Sequence, residues 1–182
     1  MWKRVILFAW FLPGAASALA ASYYTVRPND PKAVYLDALG ARGDGVADDS
    51  DAIQSAIDSV QEKVNQGIVF VPEGRYRLTK TIYIWPSIRL IGYGAKRPVF
   101  VLASNTPGYQ DRTKENYLVF FAGSRPGAQG GGGRGGQAGS RPSDAGPGTF
   151  YSAMSNIDIQ IGEGNPGAVG VRGTYAQHSF LA

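Results

Sequence analysis

The densest group of chemically capable side chains is Asp44, Asp48, Asp49 and Asp51, in the stretch ARGDGVADDSDAI. So many carboxylates on a short stretch invite a calcium reading. The spacing argues against it. An EF-hand loop sets oxygen ligands at alternate positions, Gly at the sixth and a bidentate Glu at the twelfth. Counting from Asp44, this chain has Asp49 at the sixth and Ser55 at the twelfth. The same acids suit a helix start, with Asp48 or Asp49 as N-cap and Asp51 adding negative charge to the first turn. No metal is expected. Arg42-Gly43-Asp44 also spells an adhesion tripeptide, but among Gly40, Gly43 and Gly45 it reads as a turn.

Other groups lie toward the far end. Cleaving a glycosidic bond needs a carboxylic acid for the leaving oxygen and a base or water-holding group opposite. Asp158, in NIDIQIG, alternates with Ile157, Ile159 and Ile161. It is therefore expected on the outer face, as a candidate acid or sugar ligand. Glu163, in a glycine-rich turn, is a weaker candidate. The sole histidine, His178, stands beside Gln177 and Tyr175 in TYAQHS. A lyase would instead need a base beside a carboxylate; Arg89 and Arg172 are available, though nothing in the sequence organises them. Trp85, Tyr83 and Tyr93 could stack on sugar rings, with packing as the default.

These residues must be placed by a chain of mixed character. Ile53, Ala56, Ile57, Val60 and Val64 recur at helical spacing and predict one amphipathic helix, ended by Asn65 and Gly67. From Ile68 the period changes to two. IVFVPEGRYRL, IYIWPSIRLIGYG, VFVLAS, YLVFFAG, NIDIQIG and VGVRGTY read as short strands separated by turns, with no helical crossover between them. A solenoid of stacked coils explains this, because each coil turns corners and returns parallel to the last. An antiparallel sandwich fits the same periodicity. Residues 123–148 are Gly-rich, with too few apolar side chains to offset the entropy of ordering, and predict a flexible surface insertion.

Composition limits the function. The chain has 182 residues, 25 Gly, 11 Pro and no Cys. Without Cys there is neither a disulfide framework nor a thiolate metal site. Residues 1–20 read as a signal peptide: Lys3 and Arg4, then the apolar run VILFAWFL, then Ala18-Leu19-Ala20. That run is too short for a bilayer, which needs about 20 residues. Removal of Lys3 and Arg4 leaves 16 basic against 14 acidic side chains, too even a balance for nucleic-acid binding. The mature chain is expected to be secreted or periplasmic, with no membrane contact after processing. Residues 21–33 form an extended lead-in.

The segments ALGARGDGVADDSDAIQSAI, GIVFVPEGRYRLTKTIYI and IRLIGYG together resemble the N-terminal signature of the pectate lyase superfamily, over about residues 34–94. FYSAMSNIDIQIGEGNPGAVGVRGTYAQHS, residues 150–179, is similar to a narrower group, the laminarinase-type exo-β-1,3-glucanases, which are inverting glycoside hydrolases. The resemblance implies an all-β fold, a right-handed parallel β-helix whose N-terminal α-helix caps the first coil. It implies a polysaccharide partner and no redox cofactor. It places Gln177 where such glucanases hold the attacking water, with Tyr175, His178 and Asp158 as candidate substrate contacts. Their general-acid glutamate lies downstream of the region matched here, and members are usually several times longer. The chain is therefore expected to be the N-terminal part of a β-helix domain, spanning residues 34–182, and inactive by itself. Two alternatives are a polysaccharide lyase on uronate polymers and a non-catalytic, adhesin-like carbohydrate-binding β-helix.

Overall fold

A computed structural model describes residues 21–126, 142–146, 149–174 and 178–182. The expected signal peptide, Tyr175, Gln177 and most of the Gly-rich insertion lie outside these residues.

The chain winds in coils. The first comprises β1 (Val34–Tyr35), a 3-10 turn (Leu36–Leu39), β2 (Asp44–Asp48) and α1 (Ser50–Val64). The second is β3 (Gly67–Pro72), β4 (Arg75–Leu78) and β5 (Ile82–Ile84). The third is β6 (Ile88–Tyr93), β7 (Val99–Leu102) and β8 (Asn116–Ser124). After β9 (Ser143–Asp144) comes a fourth, β10 (Ala153–Ser155), β11 (Asp158–Ile161) and β12 (Ala168–Arg172); β13 (Phe180–Leu181) begins a fifth. Successive coils add a strand to each of three sheets, ordered β1-β3-β6-β10-β13, β2-β4-β7-β11 and β5-β8-β12. Every ladder is parallel except β8 with β9. The sandwich alternative is thereby excluded: these are stacked parallel coils, in which the turns themselves bring each strand back beside its predecessor.

Register stacks like side chains through the interior. Val69 meets Leu90 and Leu90 meets Met154 on the first sheet; Leu78 meets Leu102 on the second; Ile84 meets Phe121 on the third. All are buried. Each such aliphatic contributes about 1.5–3 kcal/mol through removal from water. Tyr76 and Phe100 pack edge to face at 6.1 Å. Gly92 is fixed by close approach, since a Cβ there would lie 2.0 Å from the Asn156 carbonyl oxygen.

Three expectations change. Ile53, Ala56, Ile57 and Val60 of α1 are buried as predicted, but Val64 is 62% exposed, because the helix ends there with Asn65 in the left-handed region. Asp49 occupies the N-cap position without capping. Its carboxylate turns back to accept the backbone N–H groups of Arg42 (2.7 Å) and Gly43 (3.1 Å), bracing the glycine loop. Asn156, which period-two alternation in NIDIQIG places on the same outer face as Asp158, is instead fully buried. It forms a left-handed corner between β10 and β11, and its amide donates to the Gly92 carbonyl at 2.8 Å.

The rest of the acidic cluster is also occupied by the fold. Asp44 accepts from the Val46 and Ala47 N–H groups, both at 2.8 Å, which holds its carboxyl below the usual range. Asp51 pairs with Lys80 at 2.8 Å. Where the chain returns from the insertion, Arg172 grips Asp144 at 2.6 and 2.7 Å, which lowers the Asp144 carboxyl and fastens β9 to the third sheet. Among the described residues, no helix is long and apolar enough to cross a membrane.

Candidate functional site

The lead-in is docked onto the coils rather than hanging free. Gly94 donates its N–H to the Tyr24 carbonyl at 2.8 Å, and the Tyr23 N–H reaches Asn156 Oδ1 at 3.0 Å. Farther along, the Tyr35 hydroxyl donates to the Pro28 carbonyl at 2.6 Å, and Arg27 pairs with Asp37 at 2.9 Å. Held at both ends, the segment brings Asp30 and Lys32 to the margin of the first sheet.

There a cleft of about 740 Å³ opens. Lys32 and Asp30 come from the lead-in, Val64 from the end of α1, Ile68 from β3, Arg89 from β6 and Tyr151 from the turn before β10. Ile68, Arg89 and Ala153 are register partners, so Arg89 projects from the middle of the row. Its Nε donates to the Tyr151 carbonyl at 3.2 Å, and its guanidinium carbon lies 5.8 Å from the Tyr151 ring centroid. His178 stacks on that ring, with centroids 5.2 Å apart and planes 11° from parallel. The Asp30 carboxylate accepts the Lys32 N–H at 2.9 Å. Neither the Lys32 ammonium nor the terminal amino groups of Arg89 have a partner among the described residues. The cleft thus offers aromatic surface, two cations and one carboxylate. That suits a ligand with hydroxyl or carboxylate acceptors and apolar C–H faces.

The candidate residues divide. His178 does not line the cleft but stacks on Tyr151, which does. Asp158 lies on the second sheet, half-buried and facing Arg97 at 3.5 Å, and does not line the cleft. Trp85 and Tyr93 are buried, and Tyr83 stacks on Trp85 at 5.5 Å, so these aromatics serve packing. Among the described residues, no group of three or more acids or histidines is placed to hold a metal ion. Tyr151, Lys32 and the role of Arg89 were not legible in the sequence. The available signal was an alignment of coils: Ser87, Tyr151 and His178 each stand two residues before the register-matched Arg89, Ala153 and Phe180 of the first sheet.

Stacked parallel coils define a parallel β-solenoid, here with a cleft on one outer face. The chain belongs to the family described as rhamnogalacturonase A/epimerase, pectate lyase-like, whose sequence model matches residues 34–181. It is 42% identical over 53 residues to a glucan 1,3-beta-glucosidase of Cochliobolus carbonum, covering 29% of this chain and 6% of that protein. It is 52% identical over 41 residues to alginate lyase 7 of Azotobacter vinelandii, covering 22% of this chain and 5% of that protein. ORF18 of Geobacillus virus E2 is a similar solved structure, at 25% identity and a TM-score of 0.46, covering 76% of this chain and 22% of that one. The matches thus span only a small fraction of these relatives' lengths.

Proposed function

We propose that the chain is the N-terminal part of an exported right-handed β-helix protein that grips a polysaccharide in the first-sheet cleft and, at full length, hydrolyses it. One observation carries the reading. His178 follows Gln177 directly in the chain, and it stacks on Tyr151, which lines the cleft. The residue that resemblance assigns to the attacking water is therefore the sequence neighbour of a residue that stacks on the cleft's lining. In an inverting mechanism a water enters opposite the leaving group while a carboxylic acid protonates the leaving oxygen. Gln177 would orient that water, and the acid would come from downstream of Ala182. A β-glucan is the favoured substrate. Here α1 acts as the lid of the first coil: it precedes the third sheet in chain order and packs its apolar stripe into the core.

A second reading, a uronate polymer as substrate, is favoured by Lys32 and Arg89, two cations with no acidic partner among the described residues, since a guanidinium fork suits a carboxylate. Assaying the 182-residue chain and a downstream-extended form on laminarin and polygalacturonate separates the readings. Reducing ends released from laminarin by the extended form alone is the expected result. An unsaturated, ultraviolet-absorbing product from polygalacturonate would replace hydrolysis with elimination. Turnover by the 182-residue chain would overturn the assignment of the acid.

A further inference from the structure

Six non-glycine residues among those described have positive φ. Three are asparagines, Asn65, Asn105 and Asn156, whose short polar side chain tolerates the left-handed region. The other three are Ser87 (63°), Tyr151 (61°) and His178 (62°), and all three occupy one corner, where successive coils enter the first sheet. The corner recurs as part of the coil and would accept glycine or asparagine at least as well. Histidine is also tolerated there, but tyrosine is a genuine outlier. Strain of this kind persists where the surroundings over-determine it, and it concentrates at ligand sites.

The surroundings of Tyr151 do over-determine it. Its carbonyl is held by Arg89, its ring is stacked on His178, and its Phe150 neighbour packs at 6.3 Å. Yet it is not a core residue, with 45% of its surface exposed. Its hydroxyl has no hydrogen-bond partner among the described residues. The fold thus spends conformational strain on a ring that it does not bury.

We propose that Tyr151 is a glycan-contacting residue, aimed into the cleft by its left-handed backbone, backed by His178 and tethered by Arg89. A pyranose packs its C–H groups on the exposed part of the ring, while its hydroxyl oxygens accept from the Tyr151 O–H and the free Arg89 amino groups. This rests on the reading that the cleft takes a polysaccharide.

The test sets binding against stability. Tyr151→Gly relieves the strained φ while removing the ring. Titrations of the 182-residue chain use laminarihexaose and hexagalacturonate as probes, read by calorimetry, with melting temperatures measured in parallel. Tyr151→Gly is expected to weaken binding at least about fivefold while its melting temperature equals or exceeds that of the parent. Tyr151→Phe, which keeps ring and strain, should retain more affinity than the glycine variant. Asn105→Gly, at a left-handed corner away from the cleft, should leave binding unchanged. Undiminished affinity in Tyr151→Gly would overturn the contact. A loss of affinity accompanied by a lowered melting temperature would make Tyr151 scaffold and overturn it equally. A parent chain that binds neither probe would overturn the polysaccharide reading as well, which separates the two failures.

Discussion

Asp49 illustrates how a residue's neighbours decide its use. Its type and place suggest a cap, and its side chain is nearly inaccessible at 2% exposure. A buried carboxylate needs donors, and the nearest are the N–H groups of Arg42 and Gly43 in the loop behind it. The left-handed glycines, Gly43 at 60° and Gly45 at 78°, turn the loop so that those donors converge. Hydrogen bonds to a charged acceptor contribute about 1.5–3 kcal/mol each, and unsatisfied buried donors cost a comparable amount. Asp49→Ala is therefore expected to lower unfolding free energy by at least about 2 kcal/mol, measured by urea denaturation. A loss below about 0.5 kcal/mol would contradict the bracing role. The helix-start signature was legible in the sequence, but the direction of this side chain was not. Both uses need Asp immediately before a helix, and only the fold of the glycine loop selects between them.

At the scale of elements, α1 meets the third sheet through more than apolar contact. Gln54 Oε1 accepts the Tyr83 N–H at 2.8 Å, and Gln54 Nε2 donates to the Tyr83 carbonyl at 3.2 Å. The side-chain amide thus imitates a neighbouring strand on the otherwise open edge of β5, which blunts pairing with another chain. Gln54→Leu keeps much of the bulk and removes both bonds. It should cost about 1–3 kcal/mol and speed hydrogen exchange at the Tyr83 amide. Unchanged exchange at that amide would contradict the edge-covering role. Element types were readable because period two and period 3.6 are written in the side chains: Ile82 and Ile84 of β5 are buried as alternation predicts, and so are Ile53 and Ile57. Which strand lies beside which was not readable. β3 pairs with β6 across a whole coil, and β10 reaches back to β6 across the Gly-rich insertion. Such spacings leave no local period. The parallel stack therefore came from resemblance in the sequence and from register in the structure.

On the scale of the whole molecule, three sheets and a docked lead-in give one outer face a cleft, for which we propose a polysaccharide occupant. The sequence singled out His178, which stacks on the cleft residue Tyr151, but carried no sign of the cleft's wall. Lys32 sits in a segment that reads as a linker, and Arg89 in a strand whose apolar neighbours dominate the pattern. Their meeting depends on the lead-in folding back, which is fixed by long-range contacts such as Gly94 to Tyr24. The central claim is that this face holds glycan. Its most direct test is a heteronuclear NMR titration of the chain with laminarihexaose and hexagalacturonate, repeated on Arg89→Ala. The account predicts saturable shifts clustered at Ile68, Arg89, Tyr151 and His178, and affinity reduced at least about fivefold in the variant. Shifts clustered elsewhere, or none with either sugar, would contradict it.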